Sequence, residues 1–89
     1  MKTILLDTAA VSSMGELHSL LKEALSFPAW YGNNLDALFD CLTDLGEETA
    51  LTLCGSEPLA RTLGPRWNAF TATLSDAAAK NPLFTFHLQ

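Results

Sequence analysis

Three short apolar runs, Thr3-Ile4-Leu5-Leu6, Ala50-Leu51-Thr52-Leu53-Cys54 and Leu83-Phe84-Thr85-Phe86-His87-Leu88, read as β-strands, and helical stretches separate each from the next. Strands joined through helices rather than tight turns run parallel, through right-handed crossovers. The expected fold class is therefore α/β, a small three-stranded parallel sheet with helices packed on it. A chain of 89 residues leaves room for one such domain, residues 1–89, which buries only a little over ~60% of its unfolded surface.

The helices announce themselves by spacing. Ser13-Met14-Gly15-Glu16 has the serine-to-glutamate spacing of a capping box, and Met14, Leu17, Leu20, Leu21, Ala24 and Leu25 follow at three- and four-residue steps. Pro28 is the latest point this first helix can reach. From Phe27 to Asn34 a proline, a glycine and paired asparagines break the period, giving a loop of exposed-looking aromatics. Leu35, Leu38, Phe39, Leu42 and Leu45 restore helical spacing, with Gly46 just past the expected end. A brief helix over Pro58–Leu63 should stop at Gly64, and Pro65 suits the first position of another. Its stripe is Trp67, Phe70, Leu74, Ala77 and Ala78, with Lys80 near its C-terminus and Asn81-Pro82 closing it.

Composition narrows the function classes. Hydrophobic residues at 48% and charged residues at 17% suit a packed core, not a disordered tail. A net charge of −5 opposes direct nucleic-acid binding, which draws its affinity from neutralising phosphates. Cys41 and Cys54 are too few for a secreted disulfide framework and lack zinc-site spacing. The apolar run Ile4–Leu6 stops at Asp7, too short for a signal peptide, and nothing approaches a membrane span. These features point to a cytoplasmic, reducing compartment, with no membrane association and no metal or cofactor.

The acids are concentrated. Between Glu23 and Ala60 lie seven acidic residues and no lysine or arginine. Asp36, Asp40 and Asp44 fall at four-residue steps, stacking on one helix face roughly 6 Å apart along the axis. No basic residue stands three or four positions from any of them. Asp36 benefits from the positive end of the macrodipole, whereas Asp44 meets the negative end. A solvated acidic face is the ordinary explanation of such a run. Beside Trp30, Tyr31 and Phe39, however, it pairs charges that a cationic partner would relieve with aromatic anchors; Phe39 could equally be a core residue, and core packing is the lesser alternative for Trp30 and Tyr31.

Two chemistries fit those residues. Asp36 and Asp40, one turn apart, could hold Mg²⁺ or share acid and base roles in an enzyme. Against it, the five glycines are never closer than nine residues, so no phosphate cradle forms. There is no Gly-x-Ser-x-Gly elbow, His18 and His87 sit in apolar patterns, and Cys41 beside aspartates should be a poor nucleophile. The second chemistry is an acidic regulatory module for some basic protein.

The segment Trp30-Tyr31-Gly32-Asn33-Asn34-Leu35-Asp36-Ala37-Leu38-Phe39-Asp40-Cys41-Leu42-Thr43 resembles the signature of the barstar (barnase inhibitor) family. Chain length, Leu17-His18, Leu20 to Lys22, Pro28 and the closing helix and strand fall in the same order, so the resemblance spans essentially the whole chain. It implies a non-enzymatic, barstar-like inhibitor, monomeric when free, that plugs the cleft of a basic, extracellular-type, guanyl-preferring ribonuclease of the barnase kind or a related basic toxin. By that resemblance Asp40 is the central anion, occupying a substrate-phosphate position, and Asp36 pairs at the cleft rim. Trp30 and Tyr31 stack on the nuclease, and Asn34 makes a polar contact and caps the helix. Gly32, Leu35, Phe39 and Thr43 complete the surface, while Glu47 and Asp76 steer from outside. Asp44 and Leu45 stand where the family leads one to expect a glycine and a tryptophan, and Lys80 where an acid is expected. These departures bear on which nuclease is bound. Cys41 matches a family cysteine and Cys54 does not, which implies two free thiols.

Overall fold

The central strand decides the layering. In the computed structural model, which describes residues 1–89, β2 (Thr49–Cys54) lies between β1 (Lys2–Asp7) and β3 (Phe84–Leu88), both parallel to it. Ile4, Leu51 and Phe86 sit side by side in register. Strand side chains alternate faces, and here Thr49, Leu51 and Leu53 are buried while Ala50, Thr52 and Cys54 are only half-buried. Helices thus cover one face. The other carries small or polar side chains and Leu5, 69% exposed.

Two helical pairs make the crossovers. Between β1 and β2 run α1 (Met14–Ala24) and α2 (Leu35–Thr43); between β2 and β3 run α3 (Ser56–Leu63) and α4 (Pro65–Lys80). The core collects Leu17 and Leu21 of α1, Leu38 and Leu42 of α2, Leu59, Phe70 and Leu74 of the second pair, and Leu51, Leu53 and Phe84 of the sheet. The three-stranded parallel α/β architecture expected from the sequence is the one observed. Gly55, at φ +78°, has to be a glycine: a Cβ there would meet the Ala9 backbone nitrogen at 2.9 Å.

The helix ends differ from expectation in instructive ways. Ser13 caps α1 by accepting the Glu16 N–H at 3.2 Å, but the Glu16 carboxylate accepts from the Ser12 hydroxyl instead of completing the box. The helix stops short of Pro28, because Ser26 takes a left-handed φ of 56° and the Phe27 N–H donates back to the Lys22 carbonyl. That is the Schellman ending, with a serine where glycine is usual.

The second helix was expected to run to Leu45, and it ends at Thr43. The cause lies 39 residues away. Asn81, only 7% exposed, donates from its amide nitrogen to the carbonyls of Leu42 at 3.0 Å and Leu45 at 3.1 Å. Its amide oxygen accepts the Leu83 N–H at 3.0 Å. One buried side chain satisfies the end of α2 and the entry to β3 together. Asn81→Asp removes both donors and sets a carboxylate against two carbonyls. We expect chemical denaturation to show a loss of about 1–3 kcal/mol or more, with an unchanged denaturant slope.

Candidate functional site

Residues 25–30 and the C-terminal part of α2 face one another across a groove of about 460 Å³. Leu25, Phe27, Pro28 and Trp30 form one wall; Asp40, Cys41, Thr43, Asp44 and Leu45 form the other. Asn34 makes α2 begin where it does: its side-chain oxygen accepts the Ala37 N–H at 2.8 Å while its nitrogen donates to the Gly32 carbonyl at 3.2 Å. A Cβ on Gly32 would crowd that nitrogen at 3.0 Å. Asn33 adopts φ 51°, a left-handed conformation that asparagine tolerates better than most residues.

Facing the core, α2 buries Leu38, Cys41 and Leu42; facing outward, it exposes Asp36, Asp40 and Asp44. Asp44 lies just past the last helical residue, yet its N–H still donates to the Asp40 carbonyl at 3.1 Å, so the stripe keeps helical register. The one ion pair in the molecule joins Arg61 to Glu57, at the surface of α3, and leaves the stripe unpaired. Phe39 is half-buried, and Thr43 turns its hydroxyl back to the Phe39 and Asp40 carbonyls at 2.9 and 3.1 Å. Leu35 is half-buried against the core, and Glu47 and Asp76 are exposed.

Two aromatics expected to share a role are separated. Trp30 is 74% exposed, whereas Tyr31 is 5% exposed and packs on Phe27 with ring centroids 4.9 Å apart. Tyr31 is therefore no free stacking surface: it takes the core alternative, and burial pushes its phenol pKa well up. Its hydroxyl lies 2.6 Å from Nδ1 of His18, a buried residue of α1 that spacing alone marks only as part of an apolar pattern. His87, the other histidine, is exposed on the open side of the sheet.

Asp40 and Asp44 make the α2 wall of the groove anionic. Burial, and after it the Asp40 and Asp44 carboxylates, push the Cys41 thiol up, which leaves it protonated and weakly nucleophilic. No third histidine, cysteine, aspartate or glutamate joins Asp36 and Asp40 in a metal-ligating cluster. Both cysteines are free thiols. Lys80 of α4 sets a cation over α2, its Nζ 5.5 Å from the centre of the Phe39 ring. No helix is long and apolar enough to cross a membrane.

A family model described as Barstar (barnase inhibitor) matches residues 1–89. Among curated proteins, the chain is 49% identical over 43 residues to the "Putative ribonuclease inhibitor YrdF" of Bacillus subtilis (strain 168). That match covers 48% of this chain and 47% of the relative, so it spans about half the length of each.

The stripe carries a stability consequence of its own. Asp44 faces both the negative end of α2 and a like charge one turn back. Asp44→Asn should therefore stabilise the chain by about 0.3–1 kcal/mol, read as a raised denaturation midpoint, and the gain should shrink in molar salt.

Proposed function

The chain belongs to the barstar (barnase inhibitor) family, whose members are non-enzymatic ribonuclease inhibitors, and from that premise we propose that α2 and the loop before it plug the active-site cleft of a cationic, barnase-type ribonuclease. The observation that carries this reading is the unpaired stripe Asp36, Asp40, Asp44 lying beside the exposed Trp30 ring. Such a stripe is mildly unfavourable in the free chain, each like-charge step costing about 0.2–0.5 kcal/mol. A cleft lined with guanidinium and ammonium groups, shaped for a polyanion, removes that repulsion and replaces it with charge-assisted hydrogen bonds.

Within this reading Asp40 is the phosphate mimic. It is exposed at mid-helix and borders the groove, where it presents a planar two-oxygen anion on a capped, rigid element. Asp36 and Asp44 pair with cations on either side, and Trp30 stacks against the nuclease. Gly32, Asn34, Leu35, Phe39 and Thr43 fill the contact between them. Tyr31 contributes from beneath by fixing the loop. Glu47 and Asp76 extend the negative field, raising the encounter rate without entering the cleft. The inhibitor performs no chemistry; it excludes RNA.

Two substitutions separate anchor from steering. Asp40→Ala gives up at least two charge-assisted bonds and should weaken inhibition of barnase by on the order of 100-fold, with the fold unchanged or slightly more stable. Unchanged inhibition would remove Asp40 as the anchor, and a nuclease that binds this face yet still cleaves RNA would point to a regulatory module. Asp76→Asn should lower the association rate roughly two-fold at low salt and leave dissociation untouched, as stopped-flow mixing would read. A faster dissociation would instead put Asp76 in the buried contact.

A further inference from the structure

We propose that His18 is a positioning residue for the partner-binding loop, acting through the Tyr31 hydroxyl, so that capture of a partner is coupled to the protonation state of a histidine outside the contact surface. This rests on the binding role proposed above for Trp30 and α2.

The geometry is specific. His18 is 2% exposed, beside the fully buried Leu17 and one turn before Lys22 in α1. A buried imidazole needs a partner, and the Tyr31 hydroxyl supplies it at 2.6 Å, with the two ring centres 5.7 Å apart. Tyr31 is also held by Phe27 and by its own N–H, which donates to the Pro28 carbonyl at 3.0 Å. The remaining hydrogen bonds of residues 28–34 stay within the loop or lead into α2. The His18–Tyr31 bond is thus the one that ties the loop to α1. Trp30 precedes Tyr31 in the same turn and is exposed where Tyr31 is buried. Losing the inner anchor frees the outer ring.

A neutral imidazole has one donor and one acceptor, so it can accept the phenol proton at Nδ1. An imidazolium carries hydrogen on both nitrogens, so Nδ1 can only donate to the Tyr31 oxygen, and the buried phenol proton loses its acceptor. Nothing nearby compensates the charge. The titratable groups around it are the Tyr31 phenol from the loop, the Cys41 thiol of α2 behind Tyr31, and Lys22 on α1 itself. Asp7 of β1 is engaged with the Ala9 N–H, and no carboxylate forms an ion pair with His18. Burial accordingly holds the imidazole below its usual 6.5. The sign follows: with the ordered-loop pKa depressed, the proton favours the open loop. The ordered loop is at full stability above pH 6.5, loses it as pH falls toward the depressed pKa, and levels off below it.

The test uses barnase as the probe and the free chain as an independent readout. In the free chain, the Trp30 indole N–H resonance should move with the same midpoint as the His18 ring. His18→Asn, which keeps an acceptor near the Nδ1 position but cannot titrate, should flatten that response. Against barnase at pH 7.5, His18→Leu and Tyr31→Phe should each bind about tenfold more weakly, and His18→Asn should restore most of the loss. The ratio of wild-type to His18→Asn dissociation constants cancels any titration of the nuclease, and it should rise about threefold or more between pH 7.5 and 5. Tyr31→Phe removes a single oxygen and keeps the test available if His18→Leu fails to fold. A Trp30 resonance that ignores His18 titration, or a flat ratio, overturns the proposal. Failure of the wild-type chain to bind barnase at all would sink the inhibitor reading, while the free-chain titration would still decide the role of His18.

Discussion

Two asparagine side chains fix α2, the element that carries the aspartate stripe. Asn34 satisfies the first turn of α2 and Asn81 takes two carbonyls at its end. A helix of nine residues is too short to persist on propensity. This one persists because Leu38, Cys41 and Leu42 are buried and both its ends are satisfied by fixed amides. Its outward face is then free to carry charges that do nothing for the fold. A groove with one wall on α2 can keep its shape only if that helix neither frays nor slides, and the Asn81 bonds tie its C-terminal end to the start of β3 and thereby to the sheet.

Short-range pattern made most of this legible. Short apolar runs located all three strands, three- and four-residue spacing located α1, α2 and α4, and Gly64 marked the end of α3, which begins at Ser56, two residues before the expected Pro58. Cap chemistry at Ser13 and Asn34 located the starts of α1 and α2. The end of α2 was not legible, since the group that sets it is an amide beyond α4, and no local spacing encodes a partner so distant in sequence. Ser26 hid the end of α1 for a different reason: the backbone adopts a left-handed conformation without the glycine that would announce it.

The site divides in the same way. Exposed aspartates on a helix face follow from periodicity, and so does the absence of nearby bases. The opposite fates of Trp30 and Tyr31 do not follow, because adjacent aromatics in an irregular loop have no period to assign them. What distinguishes them is that Tyr31 finds a buried hydrogen-bonding partner on another helix, His18. His18 and Tyr31 each look unremarkable alone, and together they form a polar pair inside an apolar layer. An imidazole and a phenol there are tolerable only as a couple, so the loop inherits one conformation from a histidine that contributes nothing to its surface.

Lys80 shows how local stability and surface charge compete. As the last residue of α4 it meets the negative end of the helix dipole, which favours a cation there. Asp76 stands one turn earlier, yet no ion pair forms between them. The ammonium lies over Phe39 instead, an attraction of about 0.5–1 kcal/mol at an exposed site. The arrangement leaves Asp76 unpaired and exposed, so its charge still contributes fully to the negative field, and it shields one side of a half-buried aromatic from water. The cation therefore lowers the net charge of this flank without neutralising any particular carboxylate, and the stripe on α2 remains bare. On the binding face proposed above, three aspartates stand bare and the lysine lies to one side over Phe39, where an acidic or neutral group fits better than another base.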